Sequence, residues 1–223
     1  MYRNYIKYYT SLVALLVCPV FAQSIPTDDI VESPGMRELM ALTVRGKFRM
    51  REASASPWEQ DNIIVTSAHI DAYVENELCN DFNRDIKFVE HESEFANWRD
   101  PVSYEDVEYI GRMEVLSEDK SFDMVMESRS QGKVLHKTVL GFRGQPTNNF
   151  WIGSGFTVKG MSGGPVKAKS DGKVVGVIVG AVSKNVKRFD NYREKYGQDL
   201  TVVVPYETVK AVWSKCDAND QRK

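Results

Sequence analysis

An all-β chain ending in one helix is the fold class that this 223-residue sequence predicts, on three observations. Short β-branched runs follow one another at close intervals. Twelve of the fifteen glycines lie beyond residue 131, in the gaps between those runs. Only one segment carries a helical apolar stripe. Together these are the texture of antiparallel strands joined by tight turns.

In chain order the expected strands are 39–44, 63–67, 87–90, 107–115, 124–127, 134–142, 156–158, 164–168, 174–182 and 200–204. The stretch Ser170-Asp171-Gly172-Lys173 is a hairpin turn, which makes 165–168 and 174–179 antiparallel neighbours. The helix is expected over 206–215, where Val209, Val212 and Trp213 form a stripe at i, i+3, i+4. Glu207 near its start and Lys215 at its end suit the helix dipole. The acidic stretch 75–106 reads as a solvated loop with short edge strands.

Composition narrows the function classes. With 42% hydrophobic and 27% charged residues, three cysteines and a net charge of −2, collagen-like, disulfide-dense and disordered readings are excluded. The near-zero charge also argues against a nucleic-acid binder. That total hides opposed parts: residues 71–130 hold 17 acids and 6 bases, whereas residues 131–223 hold 7 acids and 16 bases.

The first residues read as an export signal. Arg3 and Lys7 supply a positive start, 12–21 a short apolar run, and Val20-Phe21-Ala22 a cleavage site after Ala22. An apolar run of about ten residues, broken by Pro19, falls short of the ~20 that a membrane-spanning helix needs. A secreted or periplasmic protein without a stable membrane anchor is therefore expected. Cleavage removes Cys18 and leaves Cys79 and Cys216 in a compartment where disulfides persist. They form either a bridge that closes a very long loop or two unrelated thiols.

Chemistry concentrates in Gly160-Met161-Ser162-Gly163-Gly164-Pro165. A nucleophilic serine needs a sharp turn that exposes its Oγ, with backbone N–H groups converging where a carbonyl oxygen becomes negative. Glycines on both sides permit that backbone. Upstream, Ile63-Ile64-Val65-Thr66-Ser67-Ala68-His69 is a β-branched run delivering a histidine, and Phe122-Asp123-Met124-Val125-Met126 is an aspartate opening an apolar strand. His91 lies in a charge-dense loop, and His136 alternates within a strand. Among the acids weighed against Asp123, neither Asp106 nor Asp119 begins an apolar strand.

In these three segments, in the order His, Asp, Ser, the chain resembles the trypsin-like serine peptidases of the chymotrypsin fold. The resemblance implies two packed antiparallel six-stranded β-barrels: residues 23–130 carrying His69 and Asp123, and residues 131–223 carrying Ser162 and the C-terminal helix. It implies Ser162 as nucleophile, His69 as general base and Asp123 as the group orienting the imidazole. The amides of Gly160 and Ser162 would form the oxyanion hole. The substrate pocket would be walled by Phe156 and Thr157 and by Ile178, Val179 and Gly180, with no acid to receive a Lys or Arg side chain. No cofactor and no metal are implied, and the partner is a protein or peptide substrate.

Departures from the family place the chain nearer its bacterial exported branch, the Deg-type and glutamyl endopeptidases. Met161 stands where trypsin's close relatives carry an aspartate that pairs with a freshly cut N-terminus, so activation by that ion pair is not expected. No PDZ domain is expected. The competing reading is a catalytically silent, protease-like binding module, motivated by the plain segment 49–56 ahead of the histidine strand.

Overall fold

The computed structural model describes residues 40–45, 50–70, 76–116, 123–142 and 145–220, with side chains described at 54–70, 76–112, 127–138 and 150–217. The expected signal segment, 1–22, lies outside the described residues.

Five strands form the first sheet: β1 (Met40–Arg45), β2 (Met50–Pro57), β3 (Ile63–Thr66), β4 (Glu77–Asp81) and β5 (Ile86–Glu90). Their order is β1-β2-β3-β5-β4. Among the described residues this sheet is open, so of the two closed six-stranded barrels expected the structure shows one, in the second half of the chain. Six strands close that second barrel: β6 (Asp106–Leu116), β7 (Asp123–Phe142), β8 (Gln145–Ser154), β9 (Pro165–Ala168), β10 (Val174–Ala181) and β11 (Leu200–Pro205), in the order β10-β11-β8-β7-β6-β9. Among the described residues two α-helices accompany the strands: α1 (Asp190–Tyr196), between β10 and β11, and α2 (Tyr206–Asp220), after β11.

Most expected strands stand within a residue or two of their places, and β9 and β10 are antiparallel neighbours as expected. The segments 124–127 and 134–142 merge into the single strand β7, which pairs with β6 through eleven residue pairs from Asp106↔Lys133 to Leu116↔Asp123. Residues 156–158 are not a strand, because the chain there turns away toward the Gly160 loop. Three strands were not foreseen: β2, β4 and β8. The acidic stretch carries short strands, β4 and β5, with β4 at the sheet edge as expected, but it is less solvated than expected: Trp98 is buried with its indole N–H donating to the carbonyl of Pro57 at 3.0 Å. The expected division near residue 130 falls inside β7, whose first half pairs with β6 within the closed barrel.

The core explains how the sheet, the barrel and the helix hold together. One cluster runs from Trp58, just after β2, and Val65 and Phe88 of the first sheet through Leu135, Phe150, Ile152 and Val177 of the barrel to Val209 and Val212 of α2. Trp58 is its hub, meeting Phe88 and Trp98 edge-on at 5.2 and 5.1 Å between ring centroids. Trp213 of α2 lies 4.9 Å from Phe88. The expected stripe of Val209, Val212 and Trp213 is thus the face by which α2 docks. Burying each valine contributes ~1.5–3 kcal/mol. Cys79 of β4 and Cys216 of α2 form a disulfide with Cα atoms 5.9 Å apart, fixing the helix to the edge strand. Among the described residues no helix is long and apolar enough to cross a membrane.

Candidate active site

The site begins with register. β3 and β5 run antiparallel with Ile64 opposite Val89 and Thr66 opposite Lys87. One step beyond that pairing, the residues leaving β3 lie beside the residue that enters β5. These are the Ser67–Ile70 turn, closed by the Ile70 N–H on the Ser67 carbonyl at 3.2 Å, and Asp85. Asp85 has a φ of 56°, a left-handed conformation that aspartate tolerates better than most residues. A tight turn from Asp81 creates it, with the Arg84 N–H bonded to the Asp81 carbonyl and the Asp85 N–H to that of Phe82.

That geometry aims the Asp85 carboxylate at His69 twice. Oδ1 accepts the His69 backbone N–H at 2.7 Å, and Oδ2 lies 2.6 Å from Nδ1. Asp85 is 1% exposed, His69 about a fifth. A carboxylate accepts, so Nδ1 carries the proton of this bond and Nε2 is left as the ring's other nitrogen. Asp85 went unnoticed in the sequence, although Asp85-Ile86-Lys87-Phe88-Val89 is an aspartate opening an apolar strand, the same signal that selected Asp123. The backbone of Asp123 opens β7 opposite Leu116; its side chain lies outside the described residues.

Ser162 is half-buried in the loop between β8 and β9. Gly160 and Gly163 on either side have φ of 101° and 92°, a region closed to ordinary side chains, so the loop reverses sharply about the serine. Backbone bonds brace it: Met161 N–H to the Val158 carbonyl at 3.1 Å, Gly164 N–H to the Met161 carbonyl at 3.0 Å, and Gly163 N–H to the Ile178 carbonyl at 2.7 Å. Among the described residues, neither the Gly160 nor the Ser162 amide donates a hydrogen bond, so both remain available to an incoming oxygen. Met161 is fully buried in the barrel's own cluster with Val107, Tyr109, Val166 and Ile178. Apolar burial anchors the loop at this position.

The loop lies against the strand that delivers His69. A Cβ at Gly163 would overlap both the Thr66 hydroxyl and the Ser54 carbonyl. Ser67 Oγ donates to the Ile178 carbonyl at 3.1 Å, so the sheet and the barrel are bonded together two residues before His69.

Against solved structures, the chain matches the Rv3671c protease from M. tuberculosis in its active form over 81% of both chains, with a TM-score of 0.60 at 15% identity. The inactive form of that protease is covered to 91%, against 82% of this chain, with a TM-score of 0.56 at 16% identity. An HtrA-type protease, AlgW with tripeptide, matches 80% of this chain and 59% of its own, with a TM-score of 0.60 at 12% identity. The fold is that of the trypsin-like serine proteases. No known family's sequence pattern matches the chain, and no curated protein sequence matches it.

Within this trypsin-like fold the expected pocket residues divide. Ile178 and Val179 are buried, and their side chains pack into the two hydrophobic clusters. Phe156 is 47% exposed and Thr157 half-buried. A Cβ at Gly180 would meet nothing within 4 Å, so its side of the strand faces open space. Thr201 of β11, not singled out in the sequence, is buried beneath this region. Its hydroxyl bonds the Gly155 carbonyl at 2.9 Å and lies 3.4 Å from that of Thr157.

Proposed function

We propose that the protein is an exported serine endopeptidase whose triad is Ser162, His69 and Asp85, with Asp85 in the orienting role that the sequence suggested for Asp123. The observation that carries this reading is the 2.6 Å contact of His69 Nδ1 with the buried Asp85 carboxylate. It is supported by the trypsin-like fold and by a Ser162 loop packed against the histidine strand. The Cys79–Cys216 disulfide supports an oxidising compartment, secreted or periplasmic. The open first sheet serves as the counterpart of the first barrel, and the barrel supplies the nucleophile.

Ser162 Oγ attacks the scissile carbonyl carbon while His69 Nε2 takes its proton. The tetrahedral oxyanion is stabilised by the Gly160 and Ser162 amides, each worth ~3 kcal/mol in such sites. The C–N bond then breaks, Nε2 returns its proton to the leaving amine, and water releases the acyl group by the same steps. Asp85 holds the ring in the tautomer this requires and stabilises the imidazolium formed in passing. With Phe156, Thr157 and Gly180 at the mouth and hydroxyls beneath, the pocket suits an uncharged substrate side chain.

A fluorophosphonate probe tests this directly. The folded protein is expected to label at pH 8, and labelling should vanish in Ser162→Ala. No labelling of a folded sample would overturn the enzyme reading and leave a protease-like binding module.

A further inference from the structure

The loop around Ser162 contains three glycines in five residues, a sequence that does not hold its own orientation. Its bracing comes partly from across the seam. Ser54 and Ser56 are alternate residues of β2, so they project from the same face of the strand. Both are fully buried. Ser54 Oγ donates to the Gly160 carbonyl at 2.7 Å and accepts the Arg112 N–H of β6 at 2.8 Å. Ser56 Oγ donates to the Gly163 carbonyl at 3.1 Å. The two carbonyls gripped are those that flank Met161 and Ser162. A buried hydroxyl costs free energy unless bonded, and these two spend their protons on the nucleophile loop.

We infer that Ser54 and Ser56 are positioning residues that hold the Gly160 and Gly163 carbonyls and so aim the Gly160 and Ser162 amides at the oxyanion. The inference rests on the endopeptidase reading for its kinetic consequence. Its structural content, that these hydroxyls fix the loop, stands by itself. Ser54 carries more of the burden: its oxygen ties the loop to β6 as well as to β2, and Gly160 is itself one of the two donors.

The test compares Ser54→Ala, Ser56→Ala and Ser54→Thr in the full chain by three readouts. The first is kcat and KM on a peptide substrate, the second the affinity of a peptide boronate that mimics the tetrahedral state. The third is amide hydrogen exchange over residues 158–166. In Ser54→Ala, kcat should fall about 10–100-fold with KM within about threefold, since a displaced donor forfeits stabilisation only in the transition state. Boronate affinity should fall by the same factor, and exchange in the loop should quicken. Ser56→Ala should show a smaller loss of the same kind, and Ser54→Thr should recover most of the activity. A kcat within twofold of the parent, a rise in KM alone, or unchanged exchange in Ser54→Ala overturns the inference. Should Ser54→Ala not fold, Ser54→Cys keeps the side-chain shape with a somewhat larger, weaker-donating sulfur, and the same thresholds apply. A parent protein that fails to label with fluorophosphonate while Ser54→Ala still loosens the loop would sink the endopeptidase reading and leave the clamp standing.

Discussion

The open sheet and the closed barrel bring their chemical groups to the seam by opposite means. In the sheet, buried polar side chains do it: Ser54, Ser56, Thr66, Ser67, Asp85 and Lys87 are all buried, and each is bonded. In the barrel, backbone bonds and apolar burial do most of it, with the Ser130 and Thr201 hydroxyls adding bonds to the Phe156 and Gly155 carbonyls. Met161 sinks into the barrel's cluster while its neighbours hold the loop through main-chain amides. A polar lattice is directional and fails abruptly when one partner is lost, whereas an apolar anchor yields in proportion to the volume removed. Sheet substitutions should therefore damage chemistry more than stability, and barrel substitutions the reverse.

The sharpest way to break that contrast is Asp85→Asn. Its kcat should fall about 10⁴-fold, the loss that follows when the imidazole is held in the wrong tautomer. Asp123→Asn should leave kcat nearly unchanged. Steady-state kinetics of the two variants decide between the acids, and the opposite ranking would return the role to Asp123.

Removing the cross-link by Cys79→Ala with Cys216→Ala comes next, and should cost about 2–5 kcal/mol in denaturant unfolding. On the barrel side, Met161→Ala should cost about 2–5 kcal/mol, with a lowered melting temperature even in an inactivated Ser162→Ala background. If Met161→Ala abolishes turnover without loss of stability, the proposed contrast between sheet and barrel is wrong.

The smallest effect concerns pH. His136 stacks on Tyr192 of α1 with ring centroids 4.6 Å apart, and burial holds its pKa below the ordinary histidine value. The unfolded chain then takes up the proton before the folded one. This contribution is intact above about pH 6.5 and is lost as pH falls through the lower folded value. Thermal melts between pH 7.5 and 5 should show the decline, and His136→Gln should flatten it.

What was readable in the sequence follows the same division. The Gly160–Pro165 loop and the His69 strand stood out because glycines and β-branched runs are local signals. β10, β11 and α2 were equally plain, being buried apolar runs or stripes. The sheet's polar interior was not. β2, Met-Arg-Glu-Ala-Ser-Ala-Ser-Pro, alternates serine with alanine and looks like loop until its hydroxyls find Gly160 and Gly163 a hundred residues away. β4 carries no apolar run beyond Leu78 and Cys79, and as an edge strand it needs none. Asp85 was hidden by starting its strand at Lys87, one residue late, which separated the acid from Ile86. Choosing between Asp85 and Asp123 takes the pairing of β3 with β5, and that is a long-range fact.

The disulfide sets an order of events. β4 leads directly into the turn that shapes Asp85, yet its cross-link partner is 137 residues downstream in α2. While the chain is being made, the acid's hairpin emerges first, with its outer strand exposed and its partner not yet available. Such an unpaired edge is where newly made β proteins mispair. Only when α2 docks on Trp58 and Phe88 does Cys216 reach Cys79. The native cross-link therefore joins the end of the chain to an early strand, and it closes only in molecules in which α2 has reached its place.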